Sequence, residues 1–186
     1  MTTIEKIDSL FENLESKDDK LRYAALKEIL QLTENKVKWF YDKFFLLTEK
    51  LSSENSYQRS IGFMVLANLC KSDDENRIQP LLPELLKQLN DEKFITSRQS
   101  IQAVWKFALN NEVMKSIVLK ALKNEFYENR HLSTHGNLIK QDIIGSLKLI
   151  ADNTNDVKIL SLISDLISEE NDPKLQKALK KIAKLK

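Results

Sequence analysis

Glycine and proline are scarce in this sequence, with three of each among 186 residues. That scarcity argues against a sheet-rich sandwich, which needs many tight turns, and against a glycine-rich phosphate loop. A single cysteine, Cys70, rules out an intramolecular disulfide and a cysteine-clustered metal site. It sits at the end of an apolar helical stripe, where a small buried filler is the expected role. No apolar run approaches the roughly 20 residues that span a bilayer. The opening MTTIEKIDSLFENLESKDD lacks an apolar export segment and a cleavage pattern, so a cytoplasmic protein is expected. Charge of one sign is also missing. Twenty-nine Lys and Arg against 27 Asp and Glu leave +2, too balanced to mark a nucleic-acid partner.

What the chain has is helical periodicity. Apolar residues recur at helical spacing in blocks of about 12 to 17 residues, separated by short breaks rich in Asp, Asn and Ser. The spacing predicts ten helices, over 4–15, 20–33, 36–51, 56–70, 78–90, 96–109, 112–127, 137–152, 156–168 and 173–185. Breaks this short fold successive helices back on one another as antiparallel pairs. Asp172 followed by Pro173 marks a helix start, because the carboxylate accepts free amides and proline needs no donor at that position. Thr96 with Gln99 fits a reciprocal cap, and Pro80 and Pro83 are expected in the first turns of the helix ending near Asn90.

The second member of each pair repeats more clearly. KLRYAALKEIL, YQRSIGFMVLANL, TSRQSIQAVWKFAL, LIKQDIIGSLKLIA and DPKLQKALKKIAKL align on Arg22, Arg59, Arg98, Lys140 and Gln176. The steps are 37, 39, 42 and 36 residues, a period that belongs to two-helix repeats. Offsets near three and seven carry apolar or small residues: Ala25 and Ile29, Gly62 and Leu66, Ile101 and Trp105, Ile143 and Leu147, Leu179 and Ala183. They form one buried stripe.

On these residues the chain resembles HEAT-like proteins of the armadillo/HEAT superfamily. DDKLRYAALKEIL is the closest match, with Arg22 on the family arginine and Asp18 or Asp19 near its acidic position. Gln58 and Ser97 stand where an apolar residue is usual, and Lys140 replaces the arginine. The resemblance implies an all-α fold: a right-handed α-α superhelix of about five two-helix repeats, in one domain over residues 1–186. It also implies a non-enzymatic scaffold or adaptor that binds a protein or peptide partner and needs no cofactor or metal.

The polar side of the second-helix row holds Arg59, Arg98, Gln102, Lys106, Lys140 and Lys148, which would line a concave groove suited to an acidic peptide or a phosphate. The same arginines also suit a structural ladder with Asp18, Asp19 and Asp91 near the repeat turns. In VKWFYDKFFLL, Phe40, Phe44 and Leu47 fit a buried face, while Trp39 and Leu46 point away and are either covered by the next repeat, the stronger reading, or candidate partner contacts. Trp105 lies on the buried stripe. The segment ENRHLSTHGN, 128–137, is the longest interruption and the candidate functional insertion, with Thr134, Gly136 and Asn137 as loop or helix-start residues. Its His131 and His135 lack the further ligands a zinc site needs.

Two other readings use the same residues. Some bacterial DNA alkylation repair glycosylases are HEAT-like superhelices, and likeness to them would give Trp105, Arg98, Lys140 and Asp142 roles on damaged DNA. A capping or regulatory subunit would use the last helix, whose Lys177, Lys180, Lys181, Lys184 and Lys186 attract an acidic partner.

Overall fold

The computed structural model describes residues 3–184 and contains eleven α-helices among them. The chain divides into two compact units, Met1–Pro80 and Leu81–Lys186.

The first unit holds α1 (Thr3–Asn13), α2 (Asp19–Leu32), α3 (Phe40–Lys50) and α4 (Ser56–Leu69). Helix α1 packs on α2, α3 on α4, and α2 on α4. Ile7, Leu10, Phe11 and Leu14 turn one side of α1 and its end inward, and Phe40, Phe44 and Leu47 do the same for α3, as their spacing predicts. Helix α4 is buried on nearly every side, so its polar residues must find partners. Asn68 donates to the Leu30 carbonyl (2.9 Å) and to Thr33 Oγ1 (3.1 Å), tying α4 to the end of α2. Gln58 donates to the Leu14 carbonyl (2.7 Å) and accepts from the buried Lys50 ammonium (2.7 Å), which also pairs with Glu15.

Helices α2 and α4 open with the same device. Ser16 Oγ accepts the Asp18 amide (3.1 Å), Asp18 caps the Lys20 amide (2.8 Å), and Arg22 Nη1 returns to the Ser16 carbonyl (2.7 Å). Ser53, Asn55, Tyr57 and Arg59 repeat every bond, at 3.2, 3.0 and 2.9 Å. The two cap residues share φ −76°, ψ 111°. Each arginine thus satisfies a carbonyl of the turn before its own helix.

The second unit holds α5 (Leu82–Leu85), α6 (Phe94–Ala103), α7 (Trp105–Ala108), α8 (Glu112–Glu128), α9 (Leu132–Thr154), α10 (Val157–Ser168) and α11 (Pro173–Ala183). Helix α9 is its centre, packing against α6, α7, α8, α10 and α11. Asp172 caps the Lys174 amide (2.9 Å) with Pro173 in the first turn, as expected.

Five boundaries differ from expectation. Helix α3 starts at Phe40 rather than at 36, so Trp39 stands just before it. Residues 78–90 are not one helix: α5 is a single turn flanked by 3-10 turns Gln79–Leu81 and Leu86–Asn90, because Pro80 and Pro83 remove amide donors from the first turns. The predicted helix 96–109 is divided at Val104 into α6 and α7. Helix α6 starts at Phe94, so Thr96 is buried inside it and forms no cap; Asp91 accepts the Lys93 amide (2.8 Å) instead. The 128–137 interruption is mostly helix. Helix α9 begins at Leu132 and kinks at His135 (φ −138°, ψ 26°), which places Thr134, Gly136 and Asn137 within it.

Tertiary bonds explain that early start. Buried Asn129 donates to the Leu89 carbonyl (2.9 Å) and to Glu125 Oε2 (2.7 Å). His131 Nε2 donates to the Asp91 carbonyl (2.8 Å), and the His135 ring stacks on Phe94 with centroids 4.0 Å apart. Of the ten predicted stripe residues, nine are buried; Trp105 is half-buried, and its neighbour Phe107 fills the core.

Candidate functional site

Helices α6, α9 and α11 enclose an open groove of about 390 Å³ on the second unit. Residues Gln141, Gly145, Lys148 and Asp152 follow one another at three- or four-residue spacing and bring one face of α9 into it. Gln102 enters from α6, and Ile182 and Lys184 from α11 and its cap. Gly145 leaves space: a Cβ there would meet only Ile182 Cγ2, at an ordinary 3.9 Å. Together with Leu149, Gly145 and Ile182 make an apolar floor.

Three cations of the row, Arg98, Lys140 and Lys148, are neutralised where they stand. Arg98 Nε reaches Asp142 Oδ2 (2.5 Å) and Nη2 reaches Oδ1 (3.1 Å), a fork-to-fork pair between α6 and α9. The hydrogen bond to Asp142 raises the Arg98 pKa, keeping the guanidinium charged. Gln102 Nε2 donates to the same carboxylate (2.8 Å). Lys148 pairs with Asp152 one turn on. Lys140 pairs with Glu170 (2.6 Å) and lies 4.9 Å from the Phe126 ring centroid. Burial works against the Glu170 carboxylate, but the Asp172 amide and the Lys140 ammonium outweigh it and hold its pKa below the usual value.

The structure therefore gathers Arg98, Gln102, Lys140 and Lys148 around α6 and α9, while Trp39 and Arg59 lie in the first unit. Arg59 serves the turn carbonyls of Ser53 and Glu54. Trp39 stands at the N-cap position of α3 without a side-chain cap bond, and its ring meets Phe11 edge to face, centroids 5.8 Å apart, which leaves it half-buried. The aromatic that faces solvent on α3 is Phe45, 69% exposed, beside Leu46. Lys106 lies with its ammonium 5.7 Å from the centroid of the half-buried Trp105 ring. In the arginine ladder, Arg22 takes Asp19 as expected, Asp18 serves as the cap, and Arg98 turns to Asp142.

Gln141, Gly145, Leu149 and Ile182 are groove residues that the sequence reading passed over, and Lys184, expected among the last helix's charges, lines the groove as well. The spacing 141, 145, 148, 152 was a usable signal, since it marks a second face of α9 beside the buried stripe. Among the described residues no three His, Cys, Asp or Glu side chains converge as metal ligands would. No helix of the described residues is long and apolar enough to cross a membrane. Asp142 has both carboxylate oxygens occupied by Arg98 and Gln102, an arrangement that suits a structural bridge better than a general base. No protein-family model matches the chain, and no curated protein matches it in sequence.

Proposed function

We propose that this chain is a HEAT-like repeat domain that works as a non-catalytic scaffold and holds a protein partner through the α6–α9–α11 groove. The repeat reading is supported by the buried stripe, by the duplicated Ser, Asx and Arg device, and by side-chain bridges that span similar distances along the chain. Asn68 to Leu30 spans 38 residues, Asn129 to Leu89 spans 40, Lys115 to Asp156 spans 41 and Arg98 to Asp142 spans 44. Such bridges join each helix to its counterpart about one repeat away.

One observation carries the partner assignment. Arg98, Lys140 and Lys148 each meet a carboxylate, so apart from Lys184 at the α11 end the groove offers amide hydrogen-bonding groups over an apolar floor in place of a row of unneutralised cations. That combination suits a polypeptide, whereas a nucleic acid draws its affinity from unneutralised cations.

The test places a photo-crosslinking side chain at Gln141, at Leu149 and, as a control, at the exposed Lys120 of α8. Discrete protein adducts are expected from the first two positions alone, and they should vanish when Gly145→Phe fills the groove without lowering the melting temperature. Equal labelling from all three positions would remove the groove from the reading. Binding of duplex DNA at low salt, lost on Arg98→Ala or Lys148→Ala, would favour the DNA-binding alternative.

A further inference from the structure

Helix α11 carries a kind of surface found on no other described helix of the second unit. Residues 173–186 contain six lysines and no acidic residue. Lys174, Lys177, Lys180, Lys181 and Lys184 are exposed, and among the described residues none of them enters an ion pair. By contrast, Lys140 and Lys148 on the neighbouring α9 each meet a carboxylate, and the neighbouring α10 carries a single lysine, Lys158.

At 100° per residue the five lysines fall within about one third of the helix circumference, opposite Leu175 and Leu179. Lys174, Lys177, Lys181 and Lys184 form a straight stripe about 15 Å long. The last turn of a helix favours positive charge, which accounts for Lys180 and Lys181. It does not account for Lys174 and Lys177, near the end where cations are disfavoured. A stripe that runs against the helix dipole in its first half calls for a negative counterpart outside the helix.

The surroundings select the partner. The apolar side of α11, Leu175, Leu179 and Ala183, is buried against the unit, so nothing apolar is left to enter a bilayer. Helix α10, which packs beside α11, carries the exposed Asp165 and ends at the exposed Glu169. The lysine row therefore does not continue as a basic face onto that neighbour, whereas a duplex presents extended rows of phosphates. A short polypeptide fits within the strip.

We propose that the lysine stripe of α11 docks an acidic segment of a partner protein, its carboxylates meeting Lys174, Lys177, Lys181 and Lys184. The proposal rests on the reading that this unit binds a protein, and it names the chemistry that the partner brings. Lys184 belongs to both the stripe and the groove, so one bound segment can run from the strip into the apolar floor.

The experiment titrates the full chain, by fluorescence anisotropy, against a short poly-glutamate peptide, the matching poly-glutamine peptide, phosphatidylserine vesicles and a short DNA duplex. Wild type should bind poly-glutamate, weaken with added salt and ignore poly-glutamine. The double variant Lys177→Glu/Lys181→Glu should lose roughly ten-fold or more in affinity, and Lys177→Gln/Lys181→Gln an intermediate amount, with unchanged helical circular dichroism. Lys120→Glu, on the exposed face of α8 away from stripe and groove, should bind poly-glutamate as wild type does, and because the groove is read separately by the crosslinks at Gln141 and Leu149, a failure of that reading is distinguishable from a failure of this one. Equal binding by wild type and the charge-reversed protein, no preference for glutamate over glutamine, or tighter binding to vesicles or duplex would each overturn the proposal.

Discussion

Two glycines in helices should respond to the same substitution with opposite signs. Gly62 lies where α4 crosses α3, and a Cβ built there would come within 2.9 Å of Lys50 Cβ and 3.0 Å of the Leu47 carbonyl oxygen. Neither atom is the free end of a side chain, so the helices themselves must separate. Overpacking of this kind costs about 1–3 kcal/mol, against a gain of about 1 kcal/mol from replacing glycine by alanine within a helix. Gly62→Ala should therefore destabilise by about 1 kcal/mol. At Gly145 the new methyl would meet only Ile182 Cγ2 at 3.9 Å, so the propensity gain survives and Gly145→Ala should stabilise by about 0.5–1 kcal/mol.

The assay is urea or thermal unfolding followed by tryptophan fluorescence. Trp39 reports the first unit and Trp105 the second, each isolated by replacing the other with phenylalanine. One kcal/mol corresponds to a shift of about 4–8 °C in a unit of this size. A Gly62→Ala protein that melts higher than wild type would refute the close approach of α3 and α4, and the packing described for the first unit with it.

Three further outcomes follow from buried groups. Asn129→Ala should cost about 1–3 kcal/mol in chemical denaturation, because Asn129 bridges the Leu89 carbonyl and the Glu125 carboxylate at the entry to α9; a silent mutation would mean that the entry is not anchored there. Burial pushes the Lys50 amine down to about 8 from the ordinary 10.5. The folded state then holds fewer protons than the unfolded state between those values, so stability should rise from about pH 8 to about pH 10.5, by up to about 3 kcal/mol, while Lys50→Met flattens that rise. Parallel pH curves for the two proteins would contradict it. Burial, helped by the charge of Asp73, pushes the Cys70 thiol up to about 12, so iodoacetamide at mildly alkaline pH should leave it unmodified until denaturant opens the first unit; prompt labelling of the native protein would show that the thiol is accessible.

The helices were legible because each buries a stripe that local spacing encodes, and Asp172 with Pro173 announced the start of α11 by chemistry contained in two adjacent residues. Features that depend on residues about forty positions apart were not legible. Asp91 and Glu92 are the nearest acids to Arg98 along the chain, yet the fold brings Asp142 to it across α6 and α9. The 128–137 segment reads as a loop by composition, but Asn129, His131 and His135 find Leu89, Asp91 and Phe94 and turn most of it into helix. Residues 81–89 have a helical apolar rhythm that cannot make up for the amides lost at Pro80 and Pro83. Trp39 ends half-buried because α3 starts one residue after it and its ring packs against Phe11, which leaves Phe45 outside, a placement that spacing within α3 alone does not encode. Of the site, the cations could be read along the row, but their neutralisation and the space above Gly145 depend on which helices become neighbours.

The reach of the side-chain bridges also bears on how the chain folds. Ties such as Lys140 to Glu170 and Arg98 to Asp142 join positions 30 and 44 residues apart, so each closes a loop of similar and modest size. Because the entropic penalty of closure grows only with the logarithm of loop length, no one of these steps stands out as slow. Each helix can be recruited as soon as the one about forty residues before it is in place, so a ribosome emitting the chain from its first residue would release it in an order that suits assembly.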